Sequence, residues 1–218
     1  MKRFAWFLPI MFLFSCNQNK QQSYAGISAD AVKEAVKSDD TLASIIKKNI
    51  NKQPAIDTVF LGFTFGMTKQ QTIGHFNQLV KAKKLFYNDK DQRYEYSMAL
   101  GVTRANASIA PDFMGGKLYK LTLAIAPVDD MTTDDMVYQQ VAIMYMKKYQ
   151  NFTLFRQSDL LNPDEKEYHW IKNNLHIFQH KTVDGNIVSY INTPVEQSSE
   201  KKEKNNTDSA KTQTQKDI

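Results

Sequence analysis

The amino-acid sequence reads as an α+β protein in which two helix-plus-antiparallel-meander units build one sheet with helices on one face. Three observations predict this. A segment of helical period that starts near Thr68 is followed by segments of alternating period, and the same order returns from Thr133. Clusters of Gly, Asn and Asp separate the alternating segments by only a few residues, and strands joined so closely pair antiparallel. Helices segregated from neighbouring strands in this way bury their apolar sides against one sheet.

The compact domain is expected over residues 57–194. Its first apolar run, Val59 to Phe65, reads as a strand. Thr68 with Gln71 three residues on forms a capping box, and the helix behind it carries Ile73, Phe76, Leu79 and Val80 on one side. Beyond Leu85 the period becomes two. Tyr94, Tyr96, Met98 and Leu100 share one side of a strand, and Ala105, Ala107 and Ile109 share one side of the next. A turn at Asp112, Gly115 and Gly116 leads into Tyr119, Leu121, Leu123 and Ile125, the clearest alternation in the chain.

In the second pass, Thr132 or Thr133 caps a helix with Asp134 and Asp135 in its first turn and Lys147 and Lys148 in its last, matching the macrodipole. Val137, Val141, Met144 and Tyr145 form its stripe. Strands follow at Phe152 to Phe155, Tyr168 to Ile171, Leu175 to Lys181 and Ile187 to Ile191, with turns at Asn173 and Asn174 and at Asp184 and Gly185. The helix-then-meander order resembles the tandem plan of the β-lactamase inhibitory proteins. The entry Gly66, Met67, Thr68 into a helix is similar to that of the small SmpA/OmlA-type outer-membrane lipoproteins.

Ahead of the domain, Lys2 and Arg3 precede an apolar run from Phe4 to Phe14 that is too short to span a bilayer, for which roughly 20 residues are needed. Leu13, Phe14, Ser15 and Cys16 resemble the lipobox of the type II signal peptides of bacterial lipoproteins, with Phe14 bulkier than is usual there. The resemblance implies a signal peptide over residues 1–15, cleavage before Cys16, acylation of that cysteine and an envelope location at the outer membrane, with membrane lipid as the first partner. Cys16 is the chain's single cysteine, which excludes an internal disulfide and a thiolate metal cluster. Residues 16–28 are rich in Asn, Gln, Lys and Ser and read as a tether. Residues 29–56 read as a helical leader ending near Pro54, with Asp39 or Asp40 capping its second helix. Residues 195–218 hold no aromatic residue, balance five lysines against five acids, and read as a disordered tail.

The net charge of +5 is spread through the chain and interleaved with acids, which argues for solubility with at most a weak preference for anionic surfaces, and nucleic acid is not expected as a partner of a protein outside the cytoplasm. No catalytic, cofactor-binding or metal-ligating set is assigned. His176 and His180 share a strand face but lie roughly 13 Å apart, too far to share one zinc ion. His169 falls on the preceding strand, and the three are expected to be exposed or hydrogen-bonded sheet residues. Asp129, Asp130, Asp134 and Asp135 straddle a helix start, where carboxylates are favoured without calcium. Gly115, Gly116 and Lys117 lack the spacing of a phosphate loop and fit a hairpin turn. Trp170, Tyr168 and Phe178 are the candidate ligand platform, against a competing role as core. Asp40-Thr41-Leu42, Asp57-Thr58-Val59 and Asp208-Ser209-Ala210 resemble acceptor triplets for bacterial O-glycosylation. The functional expectation is a non-catalytic binding or assembly module with an envelope protein as partner. The alternative is an envelope hydrolase acting on glycan or peptide, which would need two carboxylates converging in a cleft.

Overall fold

The computed structural model describes residues 41–101, 103–158, 166–182 and 185–198. The residues read as a signal peptide and tether, Cys16, Asp39, Asp40 and Asp184 lie outside the described residues, as do residues 199–218. The chain is α+β, mostly sheet. The main α-helices among the described residues are α1 (Leu42–Asn49), α2 (Lys69–Lys81) and α3 (Asp134–Lys148). Eight strands are β1 (Phe86–Asn88), β2 (Arg93–Leu100), β3 (Thr103–Met114), β4 (Lys117–Pro127), β5 (Thr153–Ser158), β6 (Lys166–Lys172), β7 (Leu175–Thr182) and β8 (Gly185–Asn192). They form one antiparallel sheet in the order β1-β2-β3-β4-β8-β7-β6-β5.

Local chemistry sets most of the element boundaries. The Thr68 side chain accepts from Gln71 N at 3.2 Å while the Gln71 side chain accepts from Thr68 N at 2.8 Å, so α2 opens on the expected capping box. Thr133 is the residue that caps α3, accepting from Met136 N at 3.2 Å. Gly115 and Gly116 both take positive φ, 55° and 74°, which lets the β3–β4 hairpin close in two residues. The leader helix is capped by Thr41, whose hydroxyl accepts from Ser44 N at 3.3 Å.

One face of the sheet carries the main core. Leu121, Leu123 and Ile125 of β4 cluster with Met98 and Leu100, with Ala105, Ala107 and Ile109, and with Ile177, Val188 and Tyr190. Phe76 and Leu79 of α2 and Val137, Val141 and Tyr145 of α3 belong to the same cluster, so both helices bury their apolar sides on this face. Buried polar ties cross it as well. Buried Gln179 on β7 donates to the carbonyl of Tyr138 on α3 at 2.9 Å, and the hydroxyls of Tyr145 and Tyr190 bond each other. Burial pushes both phenols well above their ordinary pKa, so each stays neutral and can donate. Replacing Tyr145 by Phe should cost about 1 kcal/mol, because the buried Tyr190 hydroxyl loses one of its two phenolic partners and keeps Tyr149. Tyr145→Phe with Tyr190→Phe should cost less than either single change predicts by addition, as a urea-denaturation double-mutant cycle would show.

The structure corrects the expected elements at several points. Val59 to Phe65 is not a strand. Phe60–Gly62 is a single helical turn with Leu61 at φ 51° and Gly62 at φ 83°, closed by a bridge between Thr58 and Thr64. Alternation would send Phe60 and Phe63 to opposite sides, whereas the reversal turns Phe60, Phe63 and Phe65 all inward, and Phe63 meets Phe76 at 4.8 Å. Ile73 is 54% exposed, and Thr72 takes the inward place, because its hydroxyl donates back to the Thr68 carbonyl at 3.0 Å. Asp112 lies in β3 beside a bulge rather than in the turn. Short β1 is an element that the periodicity did not reveal. Residues 195–198 continue a helical run that starts at 193, so the structure there differs from the expected tail.

Candidate binding face

The register defines what lies on the side away from the main core. The pairings Glu95 with Ser108, Ser108 with Ala124, Ala124 with Ile187 and Ile187 with His180 mark one cross-strand row, and extending the β6–β7 register by one residue brings Glu167 opposite His180. The adjacent row runs Ala110, Thr122, Ser189, Phe178, His169, Phe155. Small residues therefore floor the middle of this far face, and imidazole and phenyl rings fill the end carried by β5, β6 and β7.

Over β2, β3 and β4 the far face is partly exposed, and α2 and α3 pack on the other side. Ser97 and Ala110 are exposed, and Asn106, Ser108, Thr122 and Ala124 are half-buried. Short side chains let another molecule approach the sheet closely. The rim beside them is fixed by Glu95, whose carboxylate accepts from Arg93 Nε and Asn88 Nδ2, both at 2.9 Å, and from Asn106 Nδ2 at 3.3 Å. Asn106 Oδ1 in turn accepts from the Ser97 hydroxyl at 3.0 Å. Polar groups held in place before a ligand arrives lose little conformational entropy on binding.

The β5–β7 end is closed. His169 and His176 are 2% and 6% exposed, and His169 Nδ1 lies 3.0 Å from His176 Nε2 in a hydrogen bond between the rings. His169 stacks on Phe178 at 4.6 Å, and Phe178 stacks on His180 at 4.5 Å. Burial holds both histidines uncharged at neutral pH. It lowers His169 to about 3, with the neighbouring His176 and His180 adding to the shift, and His176 to about 4. Helix α1 touches β6, a strand flanked on both edges, so it lies over one of the two faces. Ile45 is the buried apolar residue of α1. The connection after α1 is tied to the β6–β7 turn, where Asn174 bonds the backbone of Ile56 through both amide atoms and Asn173 donates to the Pro54 carbonyl.

The candidate platform residues do not share a surface. Trp170 and Tyr168 lie on the core side, their rings stacked at 5.8 Å and Trp170 only 1% exposed beneath Tyr145 of α3, whereas Phe178 lies on the far face. Asp129 and Asp135 have structural partners: Asp129 Oδ1 accepts from Met131 N and the Thr132 hydroxyl, and Asp135 pairs with Lys181 at 2.7 Å. Among the described residues no group of three or more His, Cys, Asp or Glu side chains is arranged to hold a metal ion. Glu95 and Glu167 stand five strand spacings apart in one row, roughly 24 Å along a flat sheet, well beyond the 5–10 Å of a glycosidase carboxylate pair. Thr58, in one of the acceptor triplets, is exposed, whereas the Thr41 hydroxyl of another is engaged in its cap.

Sequence reasoning missed the His169–His176 contact although its signal was present. A two-residue turn at Asn173 and Asn174 pairs Lys172 with Leu175 and hence His169 with Phe178, which leaves His176 diagonal to His169 on the same face. No protein-family model, curated protein or solved structure matches the chain. No helix among the described residues is long and apolar enough to cross a membrane.

Proposed function

We propose that the chain is an envelope lipoprotein, anchored at the outer membrane by acylated Cys16, whose sheet domain is a non-catalytic module that binds a protein partner. One observation carries the binding reading. The far face of β2, β3 and β4 presents a floor of short side chains beside the fixed Glu95 rim, while α2 and α3 occupy the other side. Extended, hydrogen-bonded surfaces of this kind suit a flat protein epitope, and a lipid anchor adds avidity by confining the search to the membrane plane. In this reading two helix-plus-meander units join through the β4–β8 pairing, and that pairing carries the far face from one into the other.

The test is site-specific photo-crosslinking in native membranes of the producing cell. A photoreactive residue at Ser108 or Thr122 should capture the same identified envelope protein in repeated trials, and one at exposed Gln139 on α3 should not. Capture from neither far-face position, or equal capture from all three, would remove the far face as the binding surface. Mass spectrometry of the same membranes should find an acylated amino-terminal Cys16 peptide. A water-soluble product with a free Cys16 thiol would remove the anchor.

A further inference from the structure

The β6–β7 end of the far face holds a buried pair of imidazoles that share one hydrogen bond and have one carboxylate within reach. Glu167 Oε2 lies 3.7 Å from His169 Nε2 and is itself held by the side-chain amide of Gln157. That carboxylate favours the His169 tautomer with its hydrogen on Nε2, which leaves Nδ1 to accept from His176 Nε2–H. His169 Nε2 has no hydrogen-bond partner of its own. The surroundings offer little else to a charge. β5 contributes Phe155 and Gln157, β6 contributes Glu167 and Ile171, β7 contributes Phe178 and His180, and β8 contributes Ser189 and Ile191. α1 carries Lys47 and Lys48 as its charged residues, both exposed.

We propose that the His169–His176 pair is an acid-sensitive latch, closed while both rings are neutral, that opens reversibly on mild acidification and uncovers the β6–β7 side of the far face. A first added proton puts a charge among Phe155, Phe178, Ile171 and Ile191 with Glu167 as its nearby counter-charge. A second sets two N–H groups head to head across 3.0 Å. Both are relieved when the rings reach water. Because the closed pair takes up protons only near pH 3–4 and the open pair near 6.5, the opening equilibrium should rise between pH 7 and 5. The rise is about 25-fold if one histidine is released and about 600-fold if both are.

Hydrogen–deuterium exchange of the full chain at pH 7 and pH 5, corrected for intrinsic exchange rates, reads this directly. Peptides covering β6 and β7 should exchange about 25- to 600-fold faster at pH 5 through a local opening that sub-denaturing urea barely changes, whereas any faster exchange of β2, β3 and β4 should depend steeply on urea, as global unfolding does. His169→Phe with His176→Leu, which keeps an apolar pair but cannot titrate, should abolish the difference. Should that variant fail to fold, His176→Gln retains a donor for His169 Nδ1 and should reduce the response to at most about 25-fold. A β6–β7 response as sensitive to urea as that of β2, β3 and β4, an undiminished response in the folded variant, or no response in the wild type would each overturn the latch.

Discussion

Truncating Trp170 to alanine should lower the free energy of unfolding by about 3–5 kcal/mol, a large part of the 5–15 kcal/mol typical of a domain. The ring is 1% exposed and wedged between Tyr168, stacked at 5.8 Å, and Tyr145 of α3 at 5.5 Å. Its removal would leave a cavity at the junction of helix and sheet, where backbone hydrogen bonding on β6 prevents collapse. Trp170→Phe should cost much less, because the ring stack survives and the indole Nε1, buried with no partner, is lost. The measurement is urea denaturation followed by circular dichroism, since Trp170 is itself the fluorophore of the domain. The same pair of variants separates core from platform. A Trp170→Ala protein of unchanged stability but impaired partner capture would make the ring a ligand contact after all.

The sheet was legible in the sequence where one face is apolar and the other is not. Leu121, Leu123 and Ile125 alternate with Lys120, Thr122 and Ala124, and β4 is placed accordingly at the centre of the sheet. The capping box at Thr68 was legible because it depends on two side chains three residues apart. The Val59 to Phe65 segment was not, because a continuous apolar run has no period to separate a strand from a folded-back turn. Only the positive φ at Leu61 and Gly62 decides it. Histidine spacing along one strand misled in the same way. Distance within β7 argues against a shared role for His176 and His180, while the partner of His176 stands across the hairpin on β6. Contacts between strands depend on register, and register depends on turn length more than on the identity of the residues that meet. The Glu95 rim was hidden for a related reason: its ligands come from β1, β2 and β3, and β1 itself carried no periodic signal.

Global stability should fall by about 4 kcal/mol between pH 7 and pH 5, about 2 kcal/mol for each of His169 and His176. In the folded protein burial depresses both groups, to about 3 and about 4, whereas in the unfolded chain both titrate near 6.5. The unfolded state therefore binds more protons throughout this window. The stability these residues contribute is fully present above pH 6.5 and is lost as the pH falls through 6.5 toward 4, where the folded protein begins to take up protons as well. Both side chains are almost wholly buried, so solvent screening leaves the linkage largely intact. Comparison with the double histidine variant isolates the contribution of the two imidazoles over this interval. Urea midpoints at half-unit steps from pH 7 to pH 5 should decline steadily at constant m-value, and those of His169→Phe with His176→Leu should stay nearly level. A midpoint that does not move in the wild-type protein over this interval would mean that the two rings are already accessible to water in the native state, and with that the closed arrangement at the β6–β7 end of the sheet would have to be given up.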